Sequence, residues 1–172
     1  MEHFMYTKQM PSIKDIPKIK SNEKFISFMA ESIISEIADN MNLKNIGAVP
    51  ILDDNKTLLG VVSERDIVRK CVKHGRDPDL VTASDIMTTE IITVDLNTSA
   101  DIAIKIMGDN NIRHLPVVDK DNKLINFISH RDLIGSVRSS TRLNIILITV
   151  ICMIIPSIFL FNAFYKFWTL KG

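Results

Sequence analysis

Asn45-Ile-Gly-Ala-Val-Pro-Ile-Leu-Asp53 recurs further along the chain as Asn111-Ile-Arg-His-Leu-Pro-Val-Val-Asp119. The match extends without a gap in both directions from this stretch. Self-similarity at one constant spacing indicates an internal structural repeat. The matched pairs outside the quoted stretch are Met41 with Met107, Leu58 with Leu124, Ser63 with Ser129, Arg65 with Arg131, Asp66 with Asp132, and 25–28 with 91–94.

The register slips only before Phe25. Lys14-Asp-Ile-Pro17 resembles Ser84-Asp-Ile-Met87, but the first copy has four extra residues between this phrase and its first strand. From Phe25 onwards the two copies align position by position.

Each copy predicts the same order of elements, β-α-β-β-α. A short β-rich piece precedes an amphipathic helix, two strands joined by a turn follow, and a second helix begins at Ser63 or Ser129. The predicted strands are 25–28, 48–52 and 58–62 in the first copy, and 91–94, 115–118 and 124–128 in the second. The fold class is therefore α/β, and the two repeats should pack face to face because neither is large enough to bury a good core alone.

The C-terminal part of the chain is different in character. Residues 143–165 include no charged side chain and are mostly Ile, Leu, Val, Phe and Met. At a rise of ~1.5 Å per residue they would form a helix roughly 34 Å long, enough to cross a hydrocarbon core of about 30 Å. We therefore predict a single transmembrane helix. Residues 1–24 have no apolar core of the kind that a secretion signal needs, so the repeats are expected to be cytoplasmic.

The predicted domain boundaries follow from these patterns. Residues 1–74 form an N-terminal segment with the first repeat, 75–82 a linker, and 83–138 the second repeat. Residues 143–165 form the transmembrane helix, and 166–172 a short tail.

Composition excludes several classes of function. A net charge of +1 provides no basic surface for nucleic acid. Cys71 and Cys152 are far apart and indicate no disulfide framework. The sequence also shows no phosphate-binding Walker loop, no Cys/His metal cluster and no nucleophile with its base, so we expect neither an enzyme nor a metal site.

Several phrases of the repeat closely resemble CBS domains, named for cystathionine β-synthase. They are Asn45-Ile-Gly-Ala-Val-Pro50, Gly60-Val-Val-Ser-Glu-Arg-Asp66, Ala83-Ser-Asp-Ile-Met-Thr88, Ile112-Arg-His-Leu-Pro-Val-Val-Asp119 and Ile128-Ser-His-Arg-Asp-Leu133. The resemblance covers about 12–138. It implies a pair of domains whose clefts, in many relatives, bind AMP, ADP, ATP or S-adenosylmethionine.

The nucleotide motif of that family falls on Gly60, Ser63 and Asp66 in the first copy. Gly60 would let the adenosine approach, Ser63 would open a helix whose free N–H groups favour phosphate, and Asp66 would accept from ribose hydroxyls. Ser-x-x-Asp at a helix start is also a capping box, which explains Ser63 and Asp66 without any ligand. The same two interpretations apply to Ser129 and Asp132.

The two clefts are not expected to be equal. The second copy has Asn126 in place of the motif glycine, whereas in the first copy Phe25 and Phe28 are expected to fill the space for adenine. We favour the second cleft, because Asn tolerates unusual backbone angles, and expect Asp132 to matter more than Asp66. The resemblance places Thr93 beside the adenine, the backbone of Leu115 and Pro116 at its edge, and Arg65, Arg113, His114 and Arg131 near phosphates.

The main functional hypothesis is a membrane-anchored regulatory module that senses an adenine nucleotide and controls a partner protein. The expected partners are the nucleotide, the membrane, a second copy of the chain in a homodimer, and a regulated protein that the sequence does not identify. Two alternatives remain open: a ligand-free dimerising scaffold, and an accessory subunit of a membrane transporter or channel.

Overall fold

The computed structural model describes residues 11–21, 24–135 and 153–154. The chain divides between Leu133 and Ile134 into two compact units, of which the first contains both repeats. No helix within the described ranges is long and apolar enough to cross a membrane. The predicted transmembrane segment 143–165 lies outside those ranges except for residues 153 and 154, which are helical.

The first repeat forms a helix followed by a hairpin and a second helix. Helix α2 spans Ile34–Lys44, strand β1 spans Ala48–Leu52 and strand β2 spans Leu58–Ser63. Helix α3, Glu64–Asp66, continues without a break as a π-helical turn and a 3-10 turn up to His74. The amphipathic pattern correctly predicted α2, whose buried residues are Ile34, Ile37 and Met41.

The second repeat has the same elements. Helix α5 spans Ala100–Asp109, strand β3 spans His114–Val118, strand β4 spans Leu124–Ser129, and residues 130–135 are helical. The register of β3 with β4 matches that of β1 with β2 position by position, including the irregularity before the last pair. The unbroken register read from the sequence is thereby confirmed.

The predicted leading strands are shorter than expected. Residues 25–28 and 91–94 contribute one bridge each, Phe28 with Ile51 and Val94 with Val117, both parallel. Each bridge has two backbone hydrogen bonds. At Val94, its N–H donates to Pro116 O at 3.1 Å, and its carbonyl oxygen accepts from the Val118 N–H at 3.0 Å. Only one residue of each segment therefore joins the sheet.

A short helix precedes each repeat, and the segment that contains it packs against the core of the other repeat. Helix α1, Pro17–Lys20, follows a 3-10 turn at Ile13–Asp15, and helix α4 spans Ala83–Ile86. The side chains of Ile13 and Ile16 are buried in the core of the second repeat. Those of Ala83 and Ile86 are buried in the core of the first. Each core is therefore completed by residues that precede the other repeat in the chain.

The hairpins of the two repeats meet at their turns. Leu52, Leu58 and Leu124 form a small apolar cluster of their own. Backbone hydrogen bonds join the turns, from Leu58 N–H to Asn122 O at 3.3 Å and from Leu124 N–H to Lys56 O at 3.1 Å. The expected packing of one repeat on the other is therefore present.

Candidate functional site

A cavity of about 200 Å³ lies between the two repeats, and we call it the first cleft. One wall comes from the start of β1, from β2 and from α3 of the first repeat. The other comes from the start of β3 in the second repeat, and the segment from Thr88 to Ile92, which leads from one repeat into the other, completes the lining. The site thus needs both copies.

Ser63 and Asp66 stand on the first wall and form a reciprocal capping box. The Asp66 N–H donates to Ser63 Oγ, while the Ser63 N–H and hydroxyl both donate to Asp66 Oδ2. The other carboxylate oxygen, Oδ1, accepts from the Thr88 hydroxyl at 3.1 Å and pairs with Lys70 Nζ at 2.9 Å. Capping therefore uses one oxygen of Asp66 and directs the other towards Thr88, which also lines the first cleft.

The environment of Asp66 keeps it ionised. Burial raises the pKa of the carboxyl group, but the hydrogen bonds from Ser63 and Lys70 together lower it by more. The resulting pKa of Asp66 is below the ordinary value. A carboxylate at neutral pH accepts hydrogen bonds only, which is the property that a pair of ribose hydroxyls requires.

Two guanidinium groups lie at the mouth of the first cleft. Arg65 Nη1 donates to Asn111 O at 3.2 Å, and Arg113 Nη2 lies 3.9 Å from Glu64 Oε2. Both contacts run from one repeat to the other. Arg113 and Glu64 are largely exposed, so their ion pair is weak and Arg113 can turn to another anion.

His114 lies beside the first cleft as a neutral side chain. Its ring stacks on Phe127 with centroids 5.5 Å apart and an angle of 4° between the planes. Burial, followed by the charge of Arg113, lowers the pKa of His114 to about 4. The imidazole therefore brings no positive charge to a phosphate at neutral pH, unlike Arg65 and Arg113.

Three predicted site residues lie away from this cavity. Leu115 is completely buried in the core of the second repeat, and Thr93 does not line the first cleft. Gly60 faces Met87, since a Cβ atom added at Gly60 would come within 2.6 Å of Met87 Sδ. The structure therefore gives the motif glycine a packing role against the start of the segment that lines the cleft.

Ser129, Arg131 and Asp132 are not on the first cleft either. Ser129 and Asp132 form the same capping contacts as their counterparts, with the Ser129 N–H 2.7 Å and the Ser129 hydroxyl 2.8 Å from Asp132 Oδ2. The same oxygen pairs with Lys18 Nζ at 3.3 Å. Both Ser-x-x-Asp motifs are thus helix caps, as the capping alternative predicted.

The grouping of residues differs from the sequence-based expectation. We expected Arg113, His114 and Pro116 to act with Asp132, but the structure brings these three together with Ser63, Arg65 and Asp66 of the other repeat. Nor do Phe25 and Phe28 fill this space. Phe25 packs in the cluster between the hairpins and Phe28 against the core of the first repeat. Ile91 and Ile92 line the cleft instead, because the connecting segment crosses it.

Sequence reasoning missed Thr88 and Lys18 as partners of the two motif aspartates. The signal was present, because matching Lys14–Pro17 with Ser84–Met87 puts Lys18 at the position of Thr88. It also missed Glu90, which lines the first cleft and adds a negative charge there.

The sequence-family model of the CBS domain matches residues 13–73 and 83–139 of this chain. The chain belongs to the CBS domain family. Its two matched regions correspond to the two repeats, so the protein is a tandem CBS pair.

The chain is also similar to individual proteins. A Methanopyrus kandleri protein is 40% identical over 99 residues, which are 58% of this chain and 50% of that protein. A solved CBS-domain protein from Burkholderia ambifaria is 31% identical with a TM-score of 0.68, covering 74% of this chain and 93% of that one. The CBS pair of protein MJ0100, solved with 5'-methylthioadenosine and S-adenosyl-L-methionine, is 25% identical with a TM-score of 0.61, covering 77% and 98%. This chain spans half the length of the Methanopyrus relative.

Proposed function

We propose that this CBS pair is a regulatory module that binds one adenine nucleotide in the first cleft and transmits its presence to a partner protein. The observation that carries the proposal is the convergence of Asp66 with Arg65 and Arg113 around one cavity built from both repeats. A carboxylate for ribose and guanidinium groups for phosphate are the groups that a nucleotide needs.

The lining matches the parts of such a ligand. Ile91, Ile92 and Pro116 offer an apolar wall for a flat base. Asp66 and the Thr88 hydroxyl would receive the ribose, and Arg65 and Arg113 at the mouth would receive the phosphate. The adenosine derivatives solved with the CBS pair of MJ0100 support a ligand of this class.

The charges around the first cleft favour a ligand with few phosphates. Arg65 and Arg113 bring two positive charges, while Asp66 and Glu90 bring two negative ones, and Glu64 already pairs with Arg113. We therefore place AMP or S-adenosylmethionine ahead of ADP and ATP.

A bound ligand would join the two repeats, because its contacts come from both. The state in which the repeats are held together would then become more populated. In our proposal this shift controls a partner protein, with the chain as a homodimer. The segment 143–165 would be a single transmembrane helix that holds the pair at the cytoplasmic face of the membrane.

Calorimetric titration of the purified full chain tests the proposal directly. AMP, ADP, ATP and S-adenosylmethionine are titrated separately at one ionic strength, since phosphate contacts depend on salt. We expect saturable binding of at least one of them, with adenosine alone binding more weakly. Absence of binding by all four would refute the proposal and favour the ligand-free scaffold.

A further inference from the structure

The counterpart of the first cleft on the other side of the pair is built from the motif of the second repeat, and we call it the second cleft. Its positions follow from the repeat register, in which Asp132 corresponds to Asp66, Phe127 to Val61, and His114 to Ala48. Lys18 takes the place of Thr88. The hairpins beside the two clefts therefore have equivalent backbones but different side chains at the ligand positions.

Lys18 reaches into the second cleft from helix α1. Its ammonium group donates to Phe127 O at 3.0 Å and pairs with Asp132 Oδ2 at 3.3 Å. The side chains of Lys18 and Asp132 are about three-quarters buried, with 23% and 24% of their surface exposed. In the first cleft Asp66 also pairs with an ammonium group, that of Lys70 at 2.9 Å, but 41% of the Lys70 side chain is exposed, so this lysine can turn into solvent. A ribose at Asp132 would instead have to displace a cation held in a partly buried position, which is costly.

Phe127 is the second difference between the clefts. Phe127 is only 6% exposed, and its ring lies parallel to the imidazole of His114. The counterpart of Phe127 in the first cleft, Val61, is much smaller and lines the cavity, as Ala48 and His114 also do. A base entering the second cleft would meet the phenyl ring of Phe127, stacked on His114, at the position where a base entering the first cleft meets Val61.

We propose that each chain binds a single nucleotide, in the first cleft, and that the side chains of Lys18 and Phe127 close the second. This inference rests on the proposed nucleotide-binding function. It adds two residues, Lys18 and Phe127, that determine which of the two clefts is available.

The test is the number of AMP molecules bound per full-length chain, measured by calorimetry on three proteins. The wild-type chain is expected to bind one. The variant Val61→Phe, which places the phenyl ring of the second cleft in the first, is expected to lose at least about tenfold in affinity. The double variant Lys18→Thr with Phe127→Val, which gives the second cleft the side chains of the first, is expected to bind two.

Thermal unfolding of each variant shows whether it is folded. If Phe127→Val does not fold, Lys18→Thr alone decides, and we expect it to yield a second, weaker site. Two molecules bound by the wild-type chain would overturn the inference but not the proposed function. The inference would also be overturned if folded Val61→Phe kept the wild-type affinity for AMP, or if a folded double variant bound only one AMP molecule. A wild-type chain that binds no AMP, ADP, ATP or S-adenosylmethionine would overturn the proposed function, and the inference with it.

Discussion

At the scale of single residues, Asp66 and Asp132 show how the same motif position acquires different properties. Both cap a helix through a serine three residues earlier. Asp66 accepts from a threonine hydroxyl and pairs with Lys70, whose side chain is 41% exposed, whereas Asp132 pairs with Lys18, whose side chain is 23% exposed. The local sequence decides the cap, and the segment that precedes each repeat decides which side chain, Thr88 or Lys18, lies beside the carboxylate.

Asp66→Asn is expected to weaken AMP binding at least about tenfold. The variant keeps the shape of the side chain and still caps the helix, but it replaces charge-assisted hydrogen bonds to ribose, worth roughly 1.5 to 3 kcal/mol, with weaker neutral ones. The matched control is Asp132→Asn, for which calorimetry should show unchanged affinity. Weakened binding in the control alone would restore the original preference for the second cleft.

His114 should make stability depend on pH. Its pKa is about 4 in the folded protein against 6.5 as the ordinary value, so between these pH values the unfolded chain takes up a proton that the folded protein does not. The free energy of unfolding should therefore fall as the pH is lowered from about 6.5 to about 4, and this contribution should level off below that.

Arg113 and Lys18 favour the neutral imidazole and Asp132 opposes them, but burial dominates. Thermal unfolding at pH 7.5 and 5 measures the effect. His114→Gln should reduce the loss of stability at pH 5, whereas His74→Gln, at an exposed position, should leave the loss unchanged. Equal losses in wild type and His114→Gln would contradict the assignment.

At the scale of elements, the two hairpin turns are equivalent in shape but not in sequence. Lys56 and Asn122 both have positive φ, at 65° and 58°. This left-handed conformation is unfavourable for most residues and better tolerated by Asn. Asp53 and Asp119 hold the turns in the same way, each accepting through Oδ1 from two backbone N–H groups of its own turn. The turns have the same geometry, and only the first has a residue poorly suited to it.

Lys56→Asn is therefore expected to raise the free energy of unfolding by roughly 0.5 to 1 kcal/mol. The change relieves backbone strain and keeps the Lys56 carbonyl, which accepts from Leu124 across the pair. The reciprocal variant, Asn122→Lys, should be destabilised by a similar amount. Thermal denaturation of both variants measures the difference, and a stabilised Asn122→Lys would show that strain does not decide these turns.

At the scale of the whole molecule, the exchange of α1 and α4 makes the two repeats depend on each other. Each core is completed by a helix that precedes the other repeat in the chain. The exchange also creates the first cleft, because the segment that leaves α4 passes between the repeats. A ligand in that cleft would therefore contact the segment that links the two cores.

The segment 143–165 provides a prediction for the whole chain. In membranes washed with alkaline carbonate, the full-length protein should remain in the pellet, because an uncharged helix of this length is stable in lipid. A chain that ends at Thr141 should appear in the supernatant. Release of the full-length protein by carbonate would contradict the predicted anchor.

The sequence by itself determined the repeat, its register, the hairpins, α2 and α5, and both capping boxes. These features depend on residues that are close along the chain, such as Ser63 with Asp66, or on periodic burial that each repeat shows twice. Family membership followed from the same local phrases, which the two matched regions confirm.

Only the tertiary structure decided which Ser-x-x-Asp motif shares a cleft with Arg113, His114 and Pro116. Lys18 and Asp132 are far apart in sequence, as are Asp66 and Arg113, and local propensity carries no information about such pairs. The exchanged helices bring Thr88 to one aspartate and a lysine to the other. The size of Phe127 against that of Val61 then distinguishes the clefts. In our proposal the ligand enters the cleft that sequence reasoning ranked second, because the form of each cleft depends on packing between the repeats.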